Sequence, residues 1–197
     1  MICLDDDFSG VVIVFGLSGV GKSTACRSFV ERHPNFIHIQ ASALLRRARA
    51  TTDEALRTAS AGAIIDNQGT LGRTLQAVRV GREHQPVLID AHSVIDNDQE
   101  LVVVPVDAIR SLSPCGLVFL EADAVTLARR RAADIKSRPR RTASELAIQQ
   151  DFAKNAVKQY ASSLDLPLAV LSTEGDADLT SSIEKFIRYC MSSKKRF

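Results

Sequence analysis

The chain has 197 residues, 45% of them hydrophobic and 24% charged, with a formal net charge of +2. That is enough for one domain (1–197) with a core covered on two faces, and its composition is that of an ordinary soluble protein. So small a net charge supplies no whole-chain field of the kind that drives nucleic-acid binding. Cys3, Cys26, Cys115 and Cys190 stand far apart, with no C-x-x-C pair and no metal-ligand spacing. They read as buried or incidental thiols in a reducing compartment. The first seven residues lack the basic and apolar regions of a secretory signal, and no window approaches the roughly 18 consecutive apolar residues of a membrane span. The expectation is a cytoplasmic protein without a membrane partner.

In chain order, the first strong element is Val11-Val12-Ile13-Val14-Phe15, a continuous apolar run that reads as a strand buried on both faces. It runs into Gly16-Leu17-Ser18-Gly19-Val20-Gly21-Lys22-Ser23, which fits the pattern GxxxxGK[ST] without a mismatch, and then into a helical stretch over 24–32. A strand feeding a glycine-rich turn that opens a helix aims several backbone N–H groups into one hollow, a ready anion site. Gly16, Ser18, Gly19, Val20, Gly21, Lys22, Ser23 and Thr24 are therefore the candidate nucleotide-binding residues. Lys22 is expected to face solvent and reach the β- and γ-phosphates, while the Ser23 hydroxyl ligates Mg²⁺.

Further strand candidates lie at 36–39, 86–89, 116–120 and 168–171, alternating with helical stretches at 41–80, 123–136, 143–163 and 179–191. That alternation predicts an α/β fold: a parallel five-stranded sheet with helices on both faces, its ligands at the carboxyl ends of the strands. Residues 41–80 carry no strand signal and read as an all-helical flap, broken near Thr51-Thr52-Asp53 and Ala61-Gly62. Thr52 or Asp53 is placed to cap a helix there. A second anion site for an acceptor calls for an arginine on this flap, with Arg57 and Arg73 as the candidates.

Val87-Leu88-Ile89-Asp90-Ala91-His92 is an apolar strand ending in a carboxylate. With a phosphate loop upstream, Asp90 reads as a Walker-B residue that holds Mg²⁺ directly or through water. His92 either orients a water or a phosphate, or is a structural histidine. Later come Arg129, Arg130, Arg131, Lys136, Arg138, Arg140 and Arg141, with Pro139 interrupting the helix. Three consecutive arginines cannot share one helix face. The segment 129–142 reads as a short lid whose arginines stabilise a transferring phosphoryl group, the alternative being a solvated or RNA-contacting patch.

Together these elements resemble the nucleoside monophosphate kinase family of P-loop proteins, above all the archaeal-type adenylate kinases and the adenylate-kinase-like ATPases. The likeness rests on Gly16 to Thr24, Asp53-Glu54-Ala55-Leu56-Arg57, Leu88-Ile89-Asp90-Ala91-His92-Ser93, Val118 through Arg130 to Arg138 and Arg140, and Asn155 to Tyr160-Ala161. It implies that 41–80 binds the monophosphate, that Arg57 grips it, and that Arg130, Arg138 and Arg140 bracket the phosphates. The chain departs from the pattern in a lid one residue longer between Asp134 and Arg138, and in having no match to the family's base-recognition residues between Ala59 and Leu75.

The expectation is therefore phosphoryl transfer from ATP, with Mg²⁺, to a nucleoside monophosphate, AMP first. Lys22, Asp90, Arg130, Arg138 and Arg140 would be catalytic, Ser23 and Asp90 would hold the metal, and Arg57 and His92 would bind substrate. Two alternatives stand beside it: a kinase of the same fold with a hydroxyl acceptor, and an ATPase serving assembly of a ribonucleoprotein or protein complex.

Overall fold

A computed structural model describes residues 8–134, 140–175 and 178–194. The chain starts with β1 (Val11–Phe15), the phosphate loop, α1 (Lys22–Arg32) and β2 (Ile37–Gln40). Four short helices follow without a strand between them: α2 (Ala41–Arg49), α3 (Asp53–Arg57), α4 (Ala61–Gln68) and α5 (Leu71–Arg79). Then come β3 (Val87–Asp90), β4 (Val94–Asp96), β5 (Leu101–Val103), α6 (Val106–Arg110), β6 (Pro114–Glu121) and α7 (Ala124–Ala132). The chain closes with α8 (Ala143–Leu164), β7 (Leu168–Ser172) and α9 (Leu179–Lys194). All five expected strands are present, within two residues of the expected bounds.

They form one parallel sheet in the order β2-β3-β1-β6-β7. β1 is central and all five of its residues are buried, as a strand covered on both faces requires. Gly116 approaches Cys190 and Phe186 of α9, so closely that a Cβ there would stand 2.5 Å from the Cys190 sulfur. Phe119, three residues on and so on the opposite face of the strand, is paired in register with Phe15. Phe15 in turn packs on Tyr160 of α8 with ring centroids 5.9 Å apart. Thus α9 covers one face and α8 the other. The buried side chains make a single cluster spanning both layers. Cys26, Cys115 and Cys190 are buried free thiols within it, in keeping with the sequence reading.

The flap is helical throughout, and its breaks have local causes. Ala50 ends α2 in the left-handed region, and the Thr52 hydroxyl accepts from Ala55 N to start α3. Ser60 starts α4 in the same way. Thr142 and Glu145 form a reciprocal capping box that fixes the start of α8. The stretch 91–113, which carries no strand signal in the sequence reading, forms the antiparallel pair β4–β5 and the short helix α6. The lid helix is shorter than the expected 123–136, since α7 ends at Ala132. Lys136, Arg138 and Pro139 lie outside the described residues. Among the described residues no helix is long and apolar enough to cross a membrane.

One contact fixes the approach of the loop to the sheet. Gly16 has φ 149°, and a Cβ there would stand 2.6 Å from the backbone oxygen of Leu120 at the end of β6. A backbone atom cannot swing aside as a side chain can. Gly16→Ala is expected to lower stability by about 1–3 kcal/mol through this overlap, and to weaken ATP binding further by displacing the loop. Urea unfolding and calorimetry on the same variant measure both; a stable variant with intact ATP affinity would count against the tight approach.

Candidate functional site

Parallel pairing brings the ends of β1, β3 and β2 side by side: Val14 is in register with Asp90, and Asp90 with Gln40. The loop after β1 closes through Gly19 and Gly21, with φ of 90° and 107°, conformations that glycine adopts without strain. Gly21 is the N-cap of α1, no side chain caps that end, and no acidic residue stands in its first turn. The partial positive charge there is left for an anion. Ser23 in the first turn donates a hydrogen bond to Asp90 Oδ2, and Gln40 Nε2 donates to Ser23 Oγ at 3.2 Å.

Lys22 departs from expectation in one respect. It is only 6% exposed, not solvent-facing. Its ammonium donates to Gly16 O at 2.9 Å and Leu17 O at 3.1 Å, and lies 4.0 Å from Asp90 Oδ1. The stem is buried by the loop it serves, and the head is held by carbonyls of that loop. An arriving phosphate would compete for the head.

Ser23 and Asp90 offer a hydroxyl and a carboxylate, the hard oxygen donors that suit Mg²⁺ bound chiefly through nucleotide phosphates and water. A further observation fits a charged guest. His38 Nε2 is buried without a hydrogen-bond partner, 4.0 Å from Asp90 Oδ2. Burial lowers the His38 pKa, opposed by Asp90 and reinforced by Arg27, so the ring is neutral near pH 7.

Beside the loop opens a cleft of about 360 Å³, within the range of small-molecule sites. Leu17, Leu45, Leu56, Val94 and Ile95 supply apolar walls; Arg57, Gln68, His92, Arg131 and Asp96 are among its polar groups. Arg57 donates to Asp96 O at 3.3 Å and pairs with Asp98 at 2.8 Å. Arg73, the other candidate of the flap, is exposed and does not line the cleft. His92 does line it.

The three consecutive arginines splay as helix geometry demands. Arg129 is exposed, and Arg131 lines the cleft. Arg130 donates to Val20 O at 3.2 Å and to the Thr173 hydroxyl at 2.9 Å, bracing the phosphate loop against the segment after β7. Arg140 is exposed at the edge of the described chain, and Arg138 lies outside it. Thus Lys22, Ser23 and Asp90 are brought together, Arg57 and His92 share the neighbouring cleft, and Arg130 touches the loop from behind.

Several site residues escape the sequence reading. Asp96 is one: it accepts two hydrogen bonds from Arg141, read in the sequence as part of the basic lid, at 3.1 and 3.0 Å, and a third from Gln149 at 3.1 Å. Burial pushes the Asp96 carboxyl up, but Arg141, the Asp98 N–H and Gln149 outweigh it and hold the group below its ordinary 3.8. Gln40 and His38 had one signal: Ile37-His38-Ile39-Gln40 alternates apolar and polar in a strand beside the phosphate loop. Nothing in the sequence marked Asp96 or Gln149, whose meeting depends on a hairpin packing on a helix.

The family model described as AAA domain matches residues 15–149. The chain belongs to that family. It is 24% identical over 187 residues to an adenylate kinase of Pyrococcus abyssi, covering 91% of this chain and 94% of that protein. An adenylate kinase of Pyrococcus furiosus is 23% identical, with 90% and 93% covered. Among solved structures, shikimate kinase from Acinetobacter baumannii, in complex with shikimate, superposes with a TM-score of 0.65 at 13% identity, over 95% of this chain and 96% of that one. A sugar kinase from Janibacter sp. HTCC2649 gives 0.53 at 16% identity, with 91% and 94% covered. These likenesses show the α/β P-loop kinase fold that the sequence reading expects.

Two outcomes follow from the site's electrostatics. Asp90→Asn keeps the shape and removes the charge, so ATP affinity with Mg²⁺ should fall at least tenfold while affinity in EDTA holds; equal losses would make Asp90 structural. Asp96 is a carboxyl whose folded pKa is depressed, so its contribution is present above pH 3.8 and is lost as pH falls through the folded value. The melting temperatures of wild type and Asp96→Asn should therefore differ at neutral pH and converge in strong acid.

Proposed function

We propose that this member of the AAA domain family transfers the γ-phosphoryl group of ATP, with Mg²⁺, to a nucleoside monophosphate, AMP first. The observation that carries the reading is the cleft beside the phosphate loop. It joins apolar walls, around a volume of about 360 Å³, to an arginine, Arg57, that would meet an acceptor phosphate by leaving Asp98. A phosphate acceptor is already a nucleophile and needs positioning and charge neutralisation more than a base.

A hydroxyl acceptor makes a different demand. It needs a general base within reach; Asp53, Glu54 and Asp96 line the cleft, and arginines hold Asp53 and Asp96. Asp96 is held ionised by Arg141 and Gln149, Asp53 pairs with Arg46, and Asp90 takes the Ser23 proton donor. Glu54 is exposed. The superposition on shikimate and sugar kinases keeps the hydroxyl acceptor as the second reading.

In the proposed reaction the loop amides and Lys22 hold the donor phosphates, Lys22 exchanging its two carbonyl partners for phosphate oxygens. Ser23 and Asp90 hold the Mg²⁺, which when bound offsets negative charge on the β- and γ-phosphates. Arg57 orients the acceptor phosphate, with His92 and Arg131 beside it. Arg130 keeps the loop in place from behind, near the transferring group. Arg140 supplies further charge from the segment that leads into α8.

ADP formation measured with AMP, CMP, GMP, UMP, shikimate and hexoses tests the reading. AMP should stimulate turnover most. Stimulation by a hydroxyl acceptor alone would overturn it, and so would hydrolysis indifferent to every acceptor, the mark of an ATPase. Arg57→Ala should raise the KM for the monophosphate at least tenfold, the scale of a charge-assisted hydrogen bond, with little change for ATP. Arg140→Ala should instead lower kcat at least tenfold with ATP affinity kept.

A further inference from the structure

His38 is a half-buried polar residue on the edge strand β2. It stands on β2 two positions before Gln40, so strand alternation points both side chains to one face. Their partners place that face against the start of α1 and the end of β3. Gln40 reaches Ser23 Oγ at 3.2 Å, and His38 Nε2 stands 4.0 Å from Asp90 Oδ2. Nε2 is buried and makes no hydrogen bond. Buried polar atoms without a partner are rare, and each calls for a physical reason.

The gap is about one ångström longer than a hydrogen bond. A modest turn of the carboxylate or the ring closes it. Something must provoke that turn, and the surroundings of Asp90 identify it. Oδ2 takes the Ser23 hydroxyl, and Oδ1 lies 4.0 Å from the Lys22 ammonium. If Lys22 turned to the phosphates of a nucleotide, Asp90 would lose that neighbour and be left to hold a divalent cation with Ser23. A carboxylate that ligates a cation is itself held by donors behind it. His38 is the unspent donor in that place.

We propose that His38 is a positioning residue for Asp90, its Nε2–H closing onto the carboxylate when nucleotide and divalent cation fill the site. The inference rests on Ser23 and Asp90 as the cation's protein ligands, and is independent of which acceptor the cleft takes. The unpartnered Nε2 gains a hydrogen bond when the site is filled. His38 thereby favours the filled state without touching the nucleotide.

Mn²⁺, a spectroscopic stand-in for Mg²⁺, tests this in the full-length chain with a non-hydrolysable ATP analogue. Free Mn²⁺ read by electron paramagnetic resonance gives cation affinity, and calorimetry in EDTA gives analogue affinity without metal. In His38→Leu the cation affinity should fall about tenfold, the EDTA affinity should hold, and the melting temperature of the ligand-free protein should stay or rise, since an unmet polar atom is gone. His38→Gln carries an amide donor and should recover most of the cation affinity. His38→Phe takes the place of the leucine variant if that one does not fold. Wild-type cation affinity in the donor-less variant would overturn the proposal. So would a glutamine variant as weak as the leucine one, or parallel losses with and without metal. Asp90→Asn in the same titration separates the two layers: if it leaves Mn²⁺ affinity unchanged, the cation assignment falls and the His38 role with it.

Discussion

The hydrogen bond from Ser23 to Asp90 joins two chain segments separated by 67 residues, and the site depends on it. It exists because β1 and β3 are adjacent and parallel, with Val14 in register with Asp90. The turn after β1 must then rise over the end of β3. The close approach of Gly16 to Leu120 O sets how far it rises, and Gly21 lets the chain enter α1 without a capping side chain. A hydroxyl, a carboxylate and an ammonium are thus gathered beside an uncapped helix start. Buried without a guest, such groups spend their hydrogen bonds on one another, as Lys22 does on the carbonyls of its own loop.

The cleft beside the phosphate loop is organised by the β4–β5 hairpin. Asp96 accepts from Arg141 and Gln149 through its carboxylate and from Arg57 through its backbone oxygen. Asn97 donates to Ala59 O and accepts the Gln99 and Glu100 amides. Asp98, with φ 79°, takes up a backbone conformation uncommon for a residue with a side chain, and its carboxylate meets Arg57. One short turn therefore binds the flap helix α3, the approach to α8 and α8 itself. An incoming phosphate on Arg57 would meet competition from Asp98.

The arginines illustrate a general constraint on reading charge from sequence. Arg129, Arg130 and Arg131 are one undifferentiated basic run as letters. On α7 each successive residue turns by about 100°, so one faces water, one the back of the phosphate loop and one the cleft. Helix geometry shows that they must separate. Only packing of α7 against the end of the sheet says which goes where.

What the sequence by itself determined is whatever depends on near neighbours along the chain. The glycine spacing, the apolar run of β1 and the helix start are contiguous, so the phosphate loop was legible from letters alone. So were the five strands, β1, β3 and β6 as apolar runs buried on both faces and the edge strands β2 and β7 as weaker apolar signals, and the cap at Thr52. Asp90 was legible as a carboxylate ending an apolar strand. Tertiary structure decided the rest: that Asp90 meets Ser23, that Lys22 is buried, that Arg57 rather than Arg73 reaches the cleft, and that Arg141, Gln149 and Asp96 meet at all. It also brought His38 to the back of Asp90. These are contacts between residues tens of positions apart, made when strand order and helix packing are chosen, and neither is encoded in any local spacing. The short β4–β5 pair escaped the local reading for the same reason. Three residues per strand carry too little periodicity to announce themselves, and their pairing is held by side chains that arrive from elsewhere in the fold.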